Sequence, residues 1–472
     1  MQKHRSMSAW RVIRGEPGGS EFLQTHVAAS GLLLVLTLAG CTHTTPYYRP
    51  GIPRPTETSV AHGDVGQRIV LIGDAGDTRT DSATFAGLRQ WAGEMPTKTM
   101  LVFLGDNIYP AGMPKQSDPS RKDAEQRLSA QLAVVQDTGA RAFFLSGNHD
   151  WANDSKGGLE AVRRQEDYVN RSLSGEGHFL PSNGSPGPVK VDLDGVRIIV
   201  LNTSWWLHQE GAAASSNPEE TKRSVTEELT RLVGTAGNRH VIVVAHHPLV
   251  SHGTQGGFYD WKDHLFPSTH LAGWLWVPTP VLGSLYPLLR AHVFNRQTLG
   301  GREYKEMRKQ LTEALSKNRP LIYAAGHDHG LQVLEGGSAA EYMLVSAIGL
   351  DVGASLSHGK DTLFAHLHPG FMVVDFLKDG RALLRVVESG DKAVVFGMWL
   401  TSRSPTEQRR PDGQGATKSL PVPDVAAARI ESTLAARCHC GTSEQGPAPV
   451  SQRQLAQEAQ VLPHPRGVGE TR

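Results

Sequence analysis

Cysteine is scarce in this chain. Only Cys41, Cys438 and Cys440 occur in 472 residues. Three are far too few for a disulfide scaffold, so the fold must rest on a buried apolar core. Net charge is nearly absent as well, at +1 by formal count. No basic run or stripe interleaved with aromatics is found. A bulk electrostatic grip on nucleic acid is therefore not expected, and no nucleic-acid partner is assigned. Internal repeats are missing too, and the length allows one large domain or two smaller ones. What is present is ordinary for a globular protein: 39 % hydrophobic and 20 % charged residues, with many Gly and Pro that imply loops. The 21 histidines carry more information. Several sit beside glycines and carboxylates at the ends of apolar runs.

The first such run, AASGLLLVLTLAG at 28–40, follows Lys3, Arg5, Arg11 and Arg14. It is too short for a comfortable transmembrane helix and reads as a secretion signal. Its end, LAGC at Leu38–Cys41, resembles the lipobox of bacterial lipoproteins. That resemblance implies lipidation at Cys41 and attachment to a bilayer through buried acyl chains. Thr42, in place of Asp, implies by the same resemblance the outer membrane of the bacterial cell envelope, facing the periplasm or the exterior. A cleaved signal with a chance cysteine is the alternative. Residues 1–41 are thus read as signal and lipidation site, and the polar, Pro/Thr-rich stretch 42–66 as a flexible tether.

From residue 67 to about 400, short aliphatic runs end in Gly, Asp, Asn or His. They are RIVLIGD, TMLVFLGD, RAFFLSGNHD, VRIIVLNT, HVIVVAHHP and PLIYAAGHDHG. Helical stretches are expected at Ser82–Gly93, Lys122–Thr138, Glu219–Gly234 and Gly301–Ser316. The pattern predicts an α/β layered domain with its chemistry at the carboxyl ends of strands. Later segments, YMLVSAIG, FMVVDFLKDGRALLRVVES and AVVFGMWL, read as antiparallel, with a turn at Lys378-Asp379-Gly380. Residues 401–472 read as a polar, largely disordered tail. Cys438-His439-Cys440 within it falls short of a structural zinc site.

Five motifs carry the chemistry: Gly73-Asp74-Ala75-Gly76-Asp77, Gly105-Asp106-Asn107-Ile108-Tyr109, Gly147-Asn148-His149-Asp150, His246-His247-Pro248 and Gly326-His327-Asp328-His329. A weaker sixth is Ser251-His252-Gly253, where His252 also reads as an ordinary loop residue. Asp, Asn and His together suit Zn, Fe or Mn rather than a calcium cage. Glycines ahead of the ligands are expected to let the backbone turn sharply. Two neighbouring metals divide the work of hydrolysis: one lowers the pKa of a bound water, and both clamp the oxygens of an in-line displacement. A phosphate ester needs that stabilisation of negative charge.

In this order, the motifs resemble those of the calcineurin-like metallophosphoesterase superfamily over about residues 67–400. The resemblance implies an α/β fold, a four-layer α/β/β/α sandwich with two facing sheets. It implies that Asp106 bridges two metals, that Asp74 and His329 hold the first, and that Asn148, His246 and His327 hold the second. His149 would assist at the leaving group, with Asp150 orienting it through a hydrogen bond. Many members carry a histidine two residues after the first aspartate; here that position is Gly76. GDAG with GDNIY is similar to the purple acid phosphatases, particularly the small tartrate-resistant type, in which a tyrosinate at the position of Tyr109 binds ferric iron. The implied metals are Fe(III) with Fe(II), Zn(II) or Mn(II). A locally packed aromatic is the alternative for Tyr109. His247 is read as a residue that faces substrate.

The segment Leu271–Arg290, within an apolar insertion at about 250–300, holds Trp274, Trp276 and Tyr286 between prolines. It reads either as a cap on the core or as a patch resting on the bilayer. The expected activity is hydrolysis of phosphate esters, most readily monoesters. A phosphodiesterase of nucleotides or phospholipid-related diesters is the second reading. A non-catalytic surface lipoprotein is the third, and the intact ligand set speaks against it. Oligomeric state is not legible.

Overall fold

The computed structural model describes residues 45–52, 60–77, 82–213, 215–259, 261–270, 277–279, 283, 296–348, 355–390 and 393–401. Cys41, most of Leu271–Arg290 and the tail from residue 402 lie outside the described residues, as do Cys438 and Cys440.

The strands are β1 (Tyr47–Tyr48), β2 (Val65–Ile72), β3 (Thr99–Phe103), β4 (Arg141–Phe144), β5 (Val189–Leu193), β6 (Val196–Val200) and β7 (His240–Val244). There follow β8 (Ile322–Ala325), β9 (Gly330–Glu335), β10 (Tyr342–Ala347), β11 (Thr362–His366), β12 (Gly370–Leu377), β13 (Ala382–Glu388) and β14 (Val394–Leu400). They form two sheets, ordered β1-β11-β9-β10-β8-β7-β6-β5 and β14-β13-β12-β2-β3-β4. The sequence pattern explains why two sheets stack. Along β2, Ile69 and Leu71 enter one core, which they share with Ile198, Val200, Ile242 and Val244 of the other sheet. Val70 and Ile72 enter a second core, together with Phe85, Leu88 and Leu128 from helices. Successive side chains on a strand point to opposite faces, so an unbroken apolar run is covered on both sides. The result is the four-layer α/β/β/α sandwich.

The longer helices are α1 (Ala83–Glu94), α2 (Arg121–Thr138), α3 (Gly158–Ser172), α4 (Pro218–Gly234) and α5 (Arg302–Ser316). Ser82 caps α1 by accepting from the Phe85 amide at 3.3 Å. On α5, the buried Tyr304, Met307, Leu311 and Leu315 recur at helical spacing and form one face. Truncating Leu311 to alanine would cost about 2–5 kcal/mol. Among the described residues, no helix is long and apolar enough to cross a membrane.

Two sequence expectations need correction. Tyr47–Tyr48, read as part of a flexible tether, forms an edge strand antiparallel to β11. The open edge of β11 supplies the ladder, the Tyr48 hydroxyl donates to Val395 O at 3.0 Å, and Tyr47 stacks on His358. Second, β10 is not purely antiparallel. It runs parallel to β8 and antiparallel to β9. The β12–β13 hairpin and its β14 neighbour are antiparallel as expected.

Within one sheet β2, β3 and β4 run parallel; within the other β6, β7 and β8 do. The sheets are stitched together at the carboxyl ends. Gly73 N donates to Ser346 O at 2.7 Å, and Ile348 N donates to Gly73 O at 3.1 Å. The loops that follow these strands therefore meet at one place.

Candidate metal centre

Asp74 and Asp106 follow β2 and β3, and His327 follows β8. All three hold left-handed backbone, with φ of 60°, 53° and 70°. A non-glycine residue pays roughly 1–2 kcal/mol for this, so the surroundings must impose it. The sharp turn thus falls on the acidic and imidazole residues themselves, against the expectation that the preceding glycines supply it. Of those glycines only Gly105 is left-handed, at φ 93°. Gly147 serves close approach instead: a Cβ there would run into the Asp106 carboxylate.

One cluster gathers oxygen. The Tyr109 hydroxyl lies 3.2 Å from Asp74 Oδ1, 3.3 Å from Asp106 Oδ2 and 3.2 Å from His329 Nε2. His329 Nε2 is 3.4 Å from Asp74 Oδ1. One phenolic proton can serve only one of these neighbours, and a cation would satisfy all of them. No side chain fits at position 76, because a Cβ there would lie 2.6 Å from the backbone of Asn107 and Ile108. Tyr109 reaches in from the neighbouring loop instead.

The other cluster gathers nitrogen. His246 Nε2 and His327 Nδ1 each lie 3.0 Å from Asn148 Oδ1. The opposite ring nitrogens are both taken up by carbonyls: His246 Nδ1–H donates to Leu104 O at 2.9 Å, and His327 Nε2–H donates to Gln297 O at 2.7 Å. In neutral imidazoles these bonds assign the tautomers and leave two lone pairs facing the amide oxygen. Three such nitrogen and oxygen atoms at hydrogen-bond spacing call for a cation or a shared proton, and outer carbonyls of this kind orient metal-binding imidazoles. Asp106 stands between the clusters, with Oδ2 3.4 Å from His246 Nε2. Candidate metal-binding groups recur in the geometry as Asp74, Asp106 and His246, and as His246, His247 and His327.

Charge demands the same answer. Two buried carboxylates, Asp74 and Asp106, need positive partners. Burial alone would lower the His246 imidazole, but the Asp106 carboxylate outweighs it and lifts it to about 9. Burial opposes ionisation of Asp106, yet His246 and then His149 hold its carboxyl well below the usual range. Burial, followed by repulsion from His246, takes His327 down to about 4. A metal ion would supply the counter-charge by taking up the imidazole lone pairs in place of protons. The residues present fit two metal ions.

His149 stands at the rim. Its backbone N–H donates to Asp106 Oδ1 at 2.8 Å, and its ring packs 4.3 Å from that of Tyr109, centroid to centroid. The expected Asp150–His149 hydrogen bond is not formed. His149 Nδ1 is held by Pro110 O at 2.7 Å. Asp150 turns inward and accepts from Gly147 N at 2.8 Å, Asn107 N at 3.1 Å and Ile108 N at 3.2 Å, with Asn107 Nδ2 a further donor at 3.1 Å. Three otherwise orphaned backbone donors capture it. Burial, and then the Asp106 charge, push its carboxyl up. Asp150 ties the second motif to the third.

His247 does not face substrate either. It is fully buried, with Nδ1 2.8 Å from Thr203 Oγ1 and Nε2 2.7 Å from Gln297 Oε1. Asp77 pairs with Arg127. His252 Nε2 pairs with Asp361 at 2.7 Å. Sequence reading missed Gln297, which sits in no motif. It also missed Asp328, whose carboxylate takes Ser251 Oγ at 2.5 Å, Gln255 N at 3.1 Å and Gly256 N at 3.2 Å, fixing the 251–256 loop against the last motif.

A family profile described as calcineurin-like phosphoesterase matches residues 67–331. No curated protein matches the chain. Among solved structures, the chain is similar to GAP50, the anchor in the inner membrane complex of Plasmodium, at 19 % identity, 72 % coverage of this chain, 89 % of that one and a TM-score of 0.44. It is similar to the purple acid phosphatase PPD1 of yellow lupin (Lupinus luteus) seeds at 14 % identity, 73 % and 55 % coverage and a TM-score of 0.45. A 5'-nucleotidase precursor from Thermus thermophilus gives 11 % identity, 70 % and 56 % coverage and a TM-score of 0.32.

Proposed function

Because this chain belongs to the calcineurin-like phosphoesterase family and is a phosphoric ester hydrolase, we propose that it cleaves phosphate monoesters at a two-metal centre. Asp106 would be shared by the two metals. Asp74, Tyr109 and His329 would hold the first, and Asn148, His246 and His327 would hold the second. The observation that carries this reading is the Tyr109 hydroxyl, 3.2–3.3 Å from both Asp74 and Asp106 carboxylate oxygens. A phenolate among carboxylates is a hard, charged oxygen set that suits a trivalent ion. Fe(III) is therefore assigned to the first position, and Fe(II), Zn(II) or Mn(II) to the second. When bound, such a pair supplies an acidified water and neutralises charge on the phosphoryl oxygens.

The chain's own residues do the rest. Pro110 O accepts the Nδ1 proton of His149, which turns Nε2 toward the site, 3.9 Å from Asp106 Oδ2. A proton on that Nε2 is placed to donate to a phosphoryl or leaving-group oxygen. The His149 backbone N–H, donating to Asp106 Oδ1 at 2.8 Å, ties this residue to the same carboxylate.

The test is hydrolysis of an aryl phosphate monoester against the matching diester by the purified protein with its metals retained. A monoester preference, abolished in Asp106→Asn, is expected. A diester preference would replace this reading with nucleotide or phospholipid-related diesters. Attachment through lipidated Cys41, with the catalytic domain in the bacterial envelope, is proposed on the LAGC sequence at Leu38–Cys41. Labelled fatty acid should enter the parent protein and not Cys41→Ser.

A further inference from the structure

We propose that Gln297 is a positioning residue for the second metal position, reaching its ligands from two sides. The proposal rests on the reading above that Asn148, His246 and His327 hold an ion there.

Gln297 is buried where the insertion rejoins α5. Its backbone carbonyl accepts from His327 Nε2–H at 2.7 Å. Its side-chain Oε1 accepts from His247 Nε2–H at 2.7 Å, and the other nitrogen of His247 meets Thr203 Oγ1 at 2.8 Å. Its side-chain amide donates to Asp154 at 2.8 Å and 3.0 Å. The side chain thus fixes where the carbonyl lies, and the carbonyl fixes which nitrogen of His327 carries the proton and where the Nδ1 lone pair points.

The second route runs through Asp154. Ala152, Asn153 and Asp154 are consecutive left-handed residues, with φ of 54°, 48° and 63°. None is glycine, so the turn persists only if neighbours impose it. The Gln297 amide is one such neighbour. The turn's Asn153 N–H donates to Asn148 O at 3.0 Å. Gln297 therefore supports Asn148 through the turn and His327 through its carbonyl. Its contacts reach His327, His247 and Asp154, which places its influence at the second position.

The experiment is a calorimetric titration of the intact, chelator-stripped protein with Zn(II) alone. The parent should show two binding events. Gln297→Ala should weaken one event by about 10–100-fold and leave the other within threefold, the range expected when an outer partner of a metal-binding imidazole is lost. Excess Zn(II) should restore most of the turnover. Asp154→Gly provides a second variant at an exposed position, where glycine adopts φ 63° without strain. It should weaken the same event by a smaller factor and decides the matter alone if Gln297→Ala does not fold. Unchanged affinities in the variants overturn the proposal by itself. A parent that binds fewer than two ions overturns the dinuclear reading, and this proposal with it.

Discussion

Around Asn148, His246 and His327 the candidate site is fully buried, rich in nitrogen, and braced from behind by the carbonyls of Leu104 and Gln297. Around Asp74, Tyr109 and His329 it is rich in oxygen and lies nearer the rim, with Tyr109 and His329 only partly buried. The difference separates two ways of choosing a metal. In the proposed site the first position would select by donor chemistry, since two carboxylates and a phenol favour high charge. The second would select by framework, since neutral imidazoles and an amide gain affinity from being held still. Substitutions that act on one position, on both or on neither test this division.

In the proposed site Asp106 is shared by both positions, so its loss should have the largest effect. Asp106→Asn keeps the shape and removes the charge that both positions share. Activity is expected to fall by about a thousandfold or more, and metal analysis should find both ions depleted. Loss of a single ion would mean that the positions are independent.

Asp150 ties the loops of the second and third motifs together through their backbone amides. Alanine there orphans the amides of Asn107, Ile108 and Gly147 in a dry interior. We expect a loss of about 3–5 kcal/mol in urea unfolding. Asp150→Asn should recover part of it, since an amide oxygen still accepts. Had Asp150 served to orient His149, turnover would suffer while stability held, and the two measurements separate these roles.

Tyr109→Phe should divide the positions. It removes one oxygen donor from the first and none from the second. Ferric iron bound by the parent should give a visible phenolate-to-iron absorption that the variant lacks, with first-position affinity down about tenfold by the magnitude typical of a lost ligand-shell partner. Second-position affinity should hold. An unchanged spectrum would make Tyr109 a packed aromatic and leave the first position to Asp74, Asp106 and His329.

Much of this candidate site was legible because its residues sit where apolar runs end. The alternation of Ile69 and Leu71 with Val70 and Ile72 signals a strand covered on both faces, and Asp74 follows at once. The helices read equally well: the stretches expected at Ser82–Gly93 and Glu219–Gly234 form α1 and α4, whose caps in the structure are Ser82 and Asn217. Short edge elements were illegible. Tyr47–Tyr48 makes a strand only because β11 offers an open edge, and no local pattern states that. The direction of Asp150 was misread for a related reason. Proximity in sequence placed it beside His149, whereas the backbone donors of Gly147 in its own turn and of Asn107 and Ile108 in the second motif decided where its carboxylate went. Gln297 lay beyond reach because its partners, Asp154, His247 and His327, are distant in sequence. A glutamine in a loop has no spacing that announces a hub.

His252 tests the other limit, a polar residue close to the last motif that should matter to neither metal. Its Nε2 bonds to Asp361 at 2.7 Å, and its backbone N–H donates to Gln332 Oε1 at 2.9 Å. The 251–256 loop is held separately, by the Asp328 carboxylate. His252→Ala removes one partly exposed pair, worth at most about 1 kcal/mol, and leaves the Gln332 contact in place. Both Zn(II) affinities and the monoester turnover rate are expected to stay within about threefold of the parent. A larger fall in turnover with metal binding intact would place His252 at the substrate, and a fall in metal affinity would show that the framework around the second position extends through this loop as well as through Gln297.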